Sequence, residues 1–249
     1  MVYITSDIHG AFDIHKINPR EFIPGQTMTG DDYLVICGDF GCVWDGGSSD
    51  RFWLNWFESL PWTTVFIEGN HENFDVLEHY PVVEWNQGKV RQIRSNVLMR
   101  GERYEFAGKS WLALGGGFSH DVEHRQAGKN WWNVEIFSKE EALHAQQTME
   151  AHDWKVDIVL SHDVFSAHPL ANKYQHNMAN YSDDRVHQHE FLESMRQKLD
   201  YQIWFSGHYH VDRIDYFDQK PCVVLFDTVE EVDTLIQKAK DHQPLDLAQ

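Results

Sequence analysis

The chain has 249 residues, with 21 Lys and Arg against 39 Asp and Glu, which gives a formal net charge of −18. Its content of 42% hydrophobic and 14% aromatic residues is typical of a globular protein and argues against a disordered one. No apolar run reaches the roughly 18 residues of a membrane span, and no signal peptide is recognisable. The acidic balance disfavours a nucleic-acid-binding protein, because affinity for phosphate backbones comes mainly from Lys and Arg.

The three cysteines, Cys37, Cys42 and Cys222, cannot all pair with one another, and none forms a Cys-x-x-Cys motif. We therefore expect neither a disulfide framework nor a zinc knuckle. A reducing cytoplasm is the location that this cysteine pattern predicts. Since the chain has no long apolar run, we expect no membrane partner.

Five short runs of β-branched and aromatic residues each end in a polar or glycine-bearing cluster. Such runs, with little alternation, predict strands that are covered on both faces. They span residues 2–5, 33–37, 63–67, 156–160 and 202–205. Helices are predicted between them, over residues 50–60, from a capping box at Ser138 and Glu141 to about His152, and over 185–199.

The middle and the end of the chain predict additional short strands around turns. These segments are residues 97–100, 103–107 and 110–114, which predict a meander, and 213–217 and 222–227, which predict a hairpin. Strands that alternate with helices, together with these segments, predict an α/β fold with mixed sheets. No repeat and no linker rich in Pro, Gly or Ser divides the chain, so we expect a single domain over residues 1–249.

The five polar clusters at the strand ends combine carboxylate, imidazole and amide side chains without a thiolate. They are Asp7-x-His9, Gly38-Asp39, Gly69-Asn70-His71-Glu72, Ser161-His162 and Gly207-His208-x-His210. This set of donors suits divalent or trivalent ions such as Mn, Fe, Zn or Ni. In an extended segment residues i and i+2 point the same way, so Asp7 and His9 can face one site. The same spacing applies to His208 and His210.

The order of these clusters, which spans residues 7–210, resembles that of the calcineurin-like metallophosphoesterases. The resemblance implies two packed mixed β-sheets flanked by helices, in a four-layer α/β/β/α sandwich, and two bound metal ions. Manganese is the expected metal, with Fe, Zn or Ni as alternatives. The resemblance implies that one ion is held by Asp7, His9, Asp39 and His210, and the other by Asp39, Asn70, His162 and His208.

The resemblance also implies a reaction, the hydrolysis of a phosphoester. A hydroxide shared by the two ions would attack phosphorus, and His71 would donate a proton to the leaving oxygen. His71 and Asp39 are then the catalytic residues, and Asn70 and His71 contact the substrate. The long loop over residues 115–132 is a further candidate for recognition, because Arg125 could bind phosphate oxygens and its tryptophans could stack on a ring.

One departure from the family narrows the expected substrate. The protein Ser/Thr phosphatase branch carries an Asp-Arg pair after its Gly-Asp, and here Cys42 and Val43 stand in those places. A small phosphomonoester, nucleotide or phosphodiester is therefore expected, and Asp45 or Glu72 is a candidate to orient His71. A phosphoprotein phosphatase, a nuclease and a non-catalytic scaffold are the alternatives, although the negative charge disfavours the nuclease. No protein partner is predicted.

Overall fold

The computed structural model of the protein describes residues 1–18, 20–94, 96–243 and 245. Within them thirteen strands form one seven-stranded and one six-stranded sheet. The strands are β1 Val2–Thr5, β2 Tyr33–Ile36, β3 Thr63–Ile67, β4 Val82–Trp85, β5 Gly88–Ile93, β6 Asn96–Met99, β7 Arg103–Phe106, β8 Lys109–Leu114, β9 Ile158–Ser161, β10 Ile203–Ser206, β11 Arg213–Phe217, β12 Lys220–Val224 and β13 Glu230–Glu231. The helices are α1 Ser48–Ser59, α2 Phe74–Leu77, α3 Lys139–Glu150, α4 Gln188–Lys198 and α5 Val232–Lys240.

Both sheets are mixed, with a parallel centre and antiparallel edges. The first sheet has the order β13-β1-β2-β3-β6-β5-β4, and its strands β1, β2, β3 and β6 are parallel neighbours. The second has the order β11-β12-β10-β9-β8-β7, with β12, β10, β9 and β8 parallel. In an open sheet of this kind, loops at the carboxyl ends of parallel strands form the usual site for ligands.

The central strands have no alternation of polar and apolar residues because both of their faces are buried. In β3, Val65 belongs to the core between the sheets, whereas Phe66 packs against the layer that contains α1. In β9, Leu160 faces the core between the sheets, and Val159 packs against the layer of α3 and α4. The predicted order of layers, α/β/β/α, is thus confirmed.

The helices and strands predicted from periodicity are confirmed, and their ends lie within three residues of the predicted ones. The capping box is present: Glu141 donates its backbone N–H to Ser138 Oγ at 3.1 Å, and Ser138 donates its own to Glu141 Oε2 at 2.8 Å. These two bonds satisfy amides that the first turn of α3 would otherwise leave without partners.

The predicted meander is wrong in its connectivity. Strand β6 lies in the first sheet between β3 and β5, whereas β7 and β8 form a hairpin in the second sheet. Between β6 and β7 lies Gly101, whose φ of +67° places it in the left-handed region that favours glycine. The chain therefore changes sheets at this point, a step that local sequence patterns do not encode.

All three cysteines are free and buried. Burial raises the pKa of the Cys37 and Cys42 thiols.

None of the helices in the described ranges is long and apolar enough to cross a membrane.

We expect Leu160→Ala to destabilise the protein by about 2–5 kcal/mol, because it removes a fully buried side chain from between the sheets. The free energy of unfolding is to be measured by denaturant titration. Leu143→Ala on α3 is the matched control, since Leu143 is 53% exposed, and its effect should stay within about 0.5 kcal/mol. Equal effects of the two changes would contradict the described core.

Candidate functional site

The five polar clusters lie in loops that directly follow β1, β2, β3, β9 and β10. Backbone hydrogen bonds continue beyond the strands and keep these loops in register. Asp7 donates its N–H to the Gly38 carbonyl at 3.1 Å, and His9 donates to the Asp39 carbonyl at 2.8 Å. In the second sheet, Gly207 donates to the His162 carbonyl at 2.9 Å. The sheets thus bring together residues that are up to 203 positions apart, from Asp7 to His210.

The backbone at these positions is not extended, which corrects the geometry assumed from the sequence. Five of the seven predicted ligands have left-handed backbone conformations, with φ between +48° and +71°. They are Asp7, His9, Asp39, His208 and His210. Left-handed conformations are costly for residues other than glycine and concentrate at functional sites. Tight turns, and not strand alternation, therefore direct these side chains into one site.

Two groups of side chains could each hold a metal ion. Ligand atoms of Asp7, His9 and His210 lie within 4.8 Å of one another, and so do those of Asp7, Asp39 and His162. The first group contains three of the four residues predicted for the first ion. The second contains two of those predicted for the other ion, and Asp7 is common to both groups.

The other two predicted ligands contact the site through His162. Asn70 Oδ1 lies 3.3 Å and His208 Nδ1 lies 3.2 Å from His162 Nε2. His162 Nδ1 lies 2.8 Å from the Cys37 carbonyl, which only a protonated Nδ1 can bond. Nε2 is therefore the nitrogen that faces the site, and all seven predicted ligands belong to one connected cluster.

Two ionised carboxylates lie at the centre of the cluster. Asp7 and Asp39 are buried. Burial raises the pKa of the Asp39 carboxyl, but the charge of His162 and hydrogen bonds from neighbouring imidazoles outweigh it and hold that pKa well below its usual range. The pKa of Asp7 is also lowered, against the effect of burial, by the His210 imidazole. Burial lowers the pKa of His162, yet Asp39 raises it to about 10. Two buried carboxylates thus attract positive charge.

The residues present fit a bound metal. Asp7 Oδ1 and His208 Nε2 are buried and make no well-formed hydrogen bond among the described residues. Such atoms are costly unless a ligand satisfies them. Gly69 makes room for the carboxylate, since a Cβ there would lie 2.0 Å from Asp39 Oδ1. Oxygen and imidazole donors without thiolate match the harder transition metals.

His71 makes two contacts at the site. Its backbone bonds a residue of the cluster, and its side chain contacts Arg125. Its N–H donates to Asp39 Oδ1 at 2.8 Å, and its Nε2 lies 3.1 Å from Arg125 Nη2. Arg125 is held by Asp121, whose Oδ1 accepts from Nε at 2.6 Å. Because a guanidinium can only donate, Nε2 accepts this bond and His71 is neutral in this arrangement. Its pKa is lowered, first of all by burial.

Glu72 and Asp45, the two carboxylates predicted as candidates to orient His71, accept hydrogen bonds from backbone N–H groups instead. Glu72 accepts backbone N–H bonds from Phe40 at 2.7 Å and Gly41 at 3.4 Å. Asp45 Oδ1 accepts from the Gly47 N–H at 2.6 Å. Glu72 therefore fixes the loop that carries Asp39, which is a structural contribution to the site.

Asp163 is a positioning residue that the sequence analysis missed. Its buried carboxylate accepts bonds from the Phe118 and Val164 N–H groups at 3.1 and 2.8 Å and from Tyr209 Oη at 2.9 Å. His189 Nε2 lies 2.9 Å from it. Asp163 thereby links the loop that carries His162 to the loop that carries His208, Tyr209 and His210. Its position directly after His162 was the available signal.

A cavity of about 270 Å³ opens onto the cluster and is lined by Asp39, Asn70, His71 and His210, among others. The tryptophans of the 115–132 loop do not line it. Trp132 is buried against Trp44, with ring centroids 5.8 Å apart, and Trp131 donates its Nε1–H to Glu135 at 3.1 Å. Arg125 is the residue of this loop that reaches His71.

No curated protein matches the chain significantly. Solved structures show distant similarity. A proposed 5'-nucleotidase from Staphylococcus aureus is 15% identical, with a TM-score of 0.47, and the match covers 96% of this chain but only 58% of that one. The protein TT1561 of Thermus thermophilus is 10% identical, with a TM-score of 0.48 and coverage of 90% and 87%. The phosphopantetheinyl hydrolase of Mycobacterium tuberculosis is 13% identical, with a TM-score of 0.43 and coverage of 90% and 89%.

The resemblance noted in the motifs is confirmed by a family comparison. The model of the calcineurin-like phosphoesterases matches residues 1–212, a range that holds every strand-end cluster. The chain therefore belongs to the calcineurin-like phosphoesterase family, a family of metal-dependent enzymes.

Proposed function

We propose that the protein hydrolyses small phosphoesters at a centre of two metal ions, with His71 as the proton donor. The observation that carries this proposal is the convergence of Asp7, Asp39 and three histidines at the carboxyl ends of parallel strands. Asp7, His9, Asp39 and His210 would hold one ion. Asp39, Asn70, His162 and His208 would hold the other. Bound ions would supply positive charge to the phosphoryl group and acidify water.

The cavity supports a small substrate. At about 270 Å³, with Asn70, His71 and Lys173 among its lining residues, it offers room and polar contacts for a phosphoryl group. A positive centre within a chain of net charge −18 favours compact phosphoesters over long polyanions such as nucleic acids.

In this proposal His71 would move a proton at its Nε2 atom. Its backbone bond to Asp39 fixes the main chain, and the ring faces the cavity. The negative charge of a bound phosphoryl group would raise the pKa of His71 and favour its protonated form. From there Nε2 can donate the proton to the leaving oxygen.

Arg125 provides a guanidinium in a chain that lacks the arginine of the protein phosphatase branch. Its Nη2 contacts His71 Nε2, so a phosphoryl oxygen could accept from Arg125 in place of the imidazole. Such an exchange would release Nε2 for proton transfer. Arg125 thus would bind the substrate and control His71 at once.

We expect His71→Ala to lower kcat for p-nitrophenyl phosphate roughly 10²- to 10⁴-fold, because it removes the proton donor and keeps the backbone bond to Asp39. Metal content by elemental analysis should stay unchanged. His124→Ala, an exposed histidine of the 115–132 loop, is the control. Turnover that survives in His71→Ala would refute the assignment of the proton donor.

Arg125→Ala should raise KM roughly 10- to 100-fold, the usual effect of losing one charge-assisted hydrogen bond. Arg125→Lys should recover part of the loss, because it keeps the charge without the fork of the guanidinium. Lys129→Ala, an exposed cation of the same loop, should behave as wild type. Steady-state kinetics with p-nitrophenyl phosphate decide the matter, and an unchanged KM in Arg125→Ala would count against phosphate binding by this residue.

Adding Mn²⁺ to chelator-treated protein should raise the melting temperature and give two ions per chain by elemental analysis. At a hundredfold excess over Kd, each bound ion would contribute about 2.7 kcal/mol to stability. Asp39→Asn should lower the metal content, whereas Asp183→Asn, at an exposed position, should not. Absence of bound metal in the wild type would contradict the two-ion centre.

A further inference from the structure

Two stacked rings separate the active-site cavity from a second cavity beside it. The rings of His120 and Tyr174 have centroids 4.2 Å apart and planes 12° apart. Both residues line the active-site cavity, and both also line a neighbouring cavity of about 320 Å³. Tyr174 lies parallel to Tyr209, with centroids 6.2 Å apart, and Tyr209 lies between two predicted metal ligands in the chain. The second cavity thus begins directly beyond the active-site cavity.

Ser119 provides a second connection between the two cavities. It lines the second cavity, and its Oγ accepts a hydrogen bond from Asn70 Nδ2 at 3.2 Å. Glu135 fixes it by accepting both its N–H and its hydroxyl at 2.8 Å. A ligand in contact with Asn70 is therefore one side chain away from the second cavity.

The two cavities differ in charge. Lys173 lines the active-site cavity, and Arg125 contacts His71 at its edge. The second cavity, as far as the described residues define it, is lined by no Lys or Arg and has one carboxylate, Glu123. Its other polar side chains include three amides, those of Gln175, Asn177 and Asn180. Such a lining suits a neutral ring with hydrogen-bonding edges and disfavours a second phosphate.

We propose that the second cavity binds the nucleoside of a nucleoside monophosphate whose phosphate lies in the active-site cavity, an inference that rests on the proposed phosphoesterase function. The base stacks on the wall formed by His120 and Tyr174. The amides of Gln175 and Asn180 bond its edge, as neutral amide groups recognise bases elsewhere. Glu123 repels additional phosphates, so nucleoside monophosphates are preferred over diphosphates.

Kinetics with two substrates test this subsite. We compare kcat/KM for AMP with kcat/KM for p-nitrophenyl phosphate, both measured on Mn²⁺-loaded protein. The proteins are the wild type and the double variant Gln175→Ala/Asn180→Ala. The ratio of kcat/KM for AMP to that for p-nitrophenyl phosphate should fall roughly tenfold, as expected for lost hydrogen bonds. The control Asn55→Ala/Gln147→Ala removes two amides at exposed positions of α1 and α3 and should keep the ratio. Glu123→Lys should raise kcat/KM for ADP relative to AMP.

Binding of adenosine, followed by calorimetry, gives a readout that needs no turnover. Adenosine should bind the wild type and bind the Gln175→Ala/Asn180→Ala protein more weakly. An unchanged kinetic ratio in that variant, or no binding of adenosine to the wild type, would overturn the nucleoside subsite. A wild type that binds adenosine but hydrolyses neither ester with any metal would support the subsite and contradict the proposed function.

Discussion

The burial of two ionised carboxylates, Asp7 and Asp39, is the constraint around which the site is built. Neither would be stable as a charge in an apolar interior without compensation. The compensation comes from backbone and side chains alike: His71 donates its N–H to Asp39 at 2.8 Å, and His208 donates its N–H to Asp7 at 3.0 Å. Imidazoles surround both groups. Asp7, Asp39 and His208 themselves have left-handed backbone conformations, which cost free energy and are retained here where these groups meet.

The bond from His208 to Asp7 joins a loop of the second sheet to a loop of the first, so the site depends on how the sheets pack. Lys16 reinforces this edge. Its buried ammonium donates to the carbonyls of Ser6, Asp7 and Phe226 at 2.9, 3.0 and 2.7 Å. A single cation therefore ties the segment with the first ligands to the segment that follows β12. The positions of the site residues therefore depend on the packing of the two sheets against each other.

The sequence predicted the central strands, the long helices and the strand-end clusters because each depends on local residue patterns. Apolar runs marked buried strands, and a capping box marked α3. What it could not predict depends on contacts between distant segments. The assignment of β6 to the other sheet, the bonds of Glu72 to the loop of Asp39, and the contact of Arg125 with His71 are of this kind. The left-handed turns also escaped prediction, since Asp and His carry no obligatory signal for them.

The positions of two cysteines relative to Asp39 make the site observable by thiol chemistry. Cys37 precedes Asp39 by two residues and Cys42 follows it by three, and both thiols are buried. Alkylating reagents attack the thiolate, which burial suppresses here by raising the pKa of both groups. Alkylation of these thiols therefore requires local unfolding of the segment that carries them. The rate of labelling thus reports local unfolding beside the site, and a bound ligand that closes the edge would slow it.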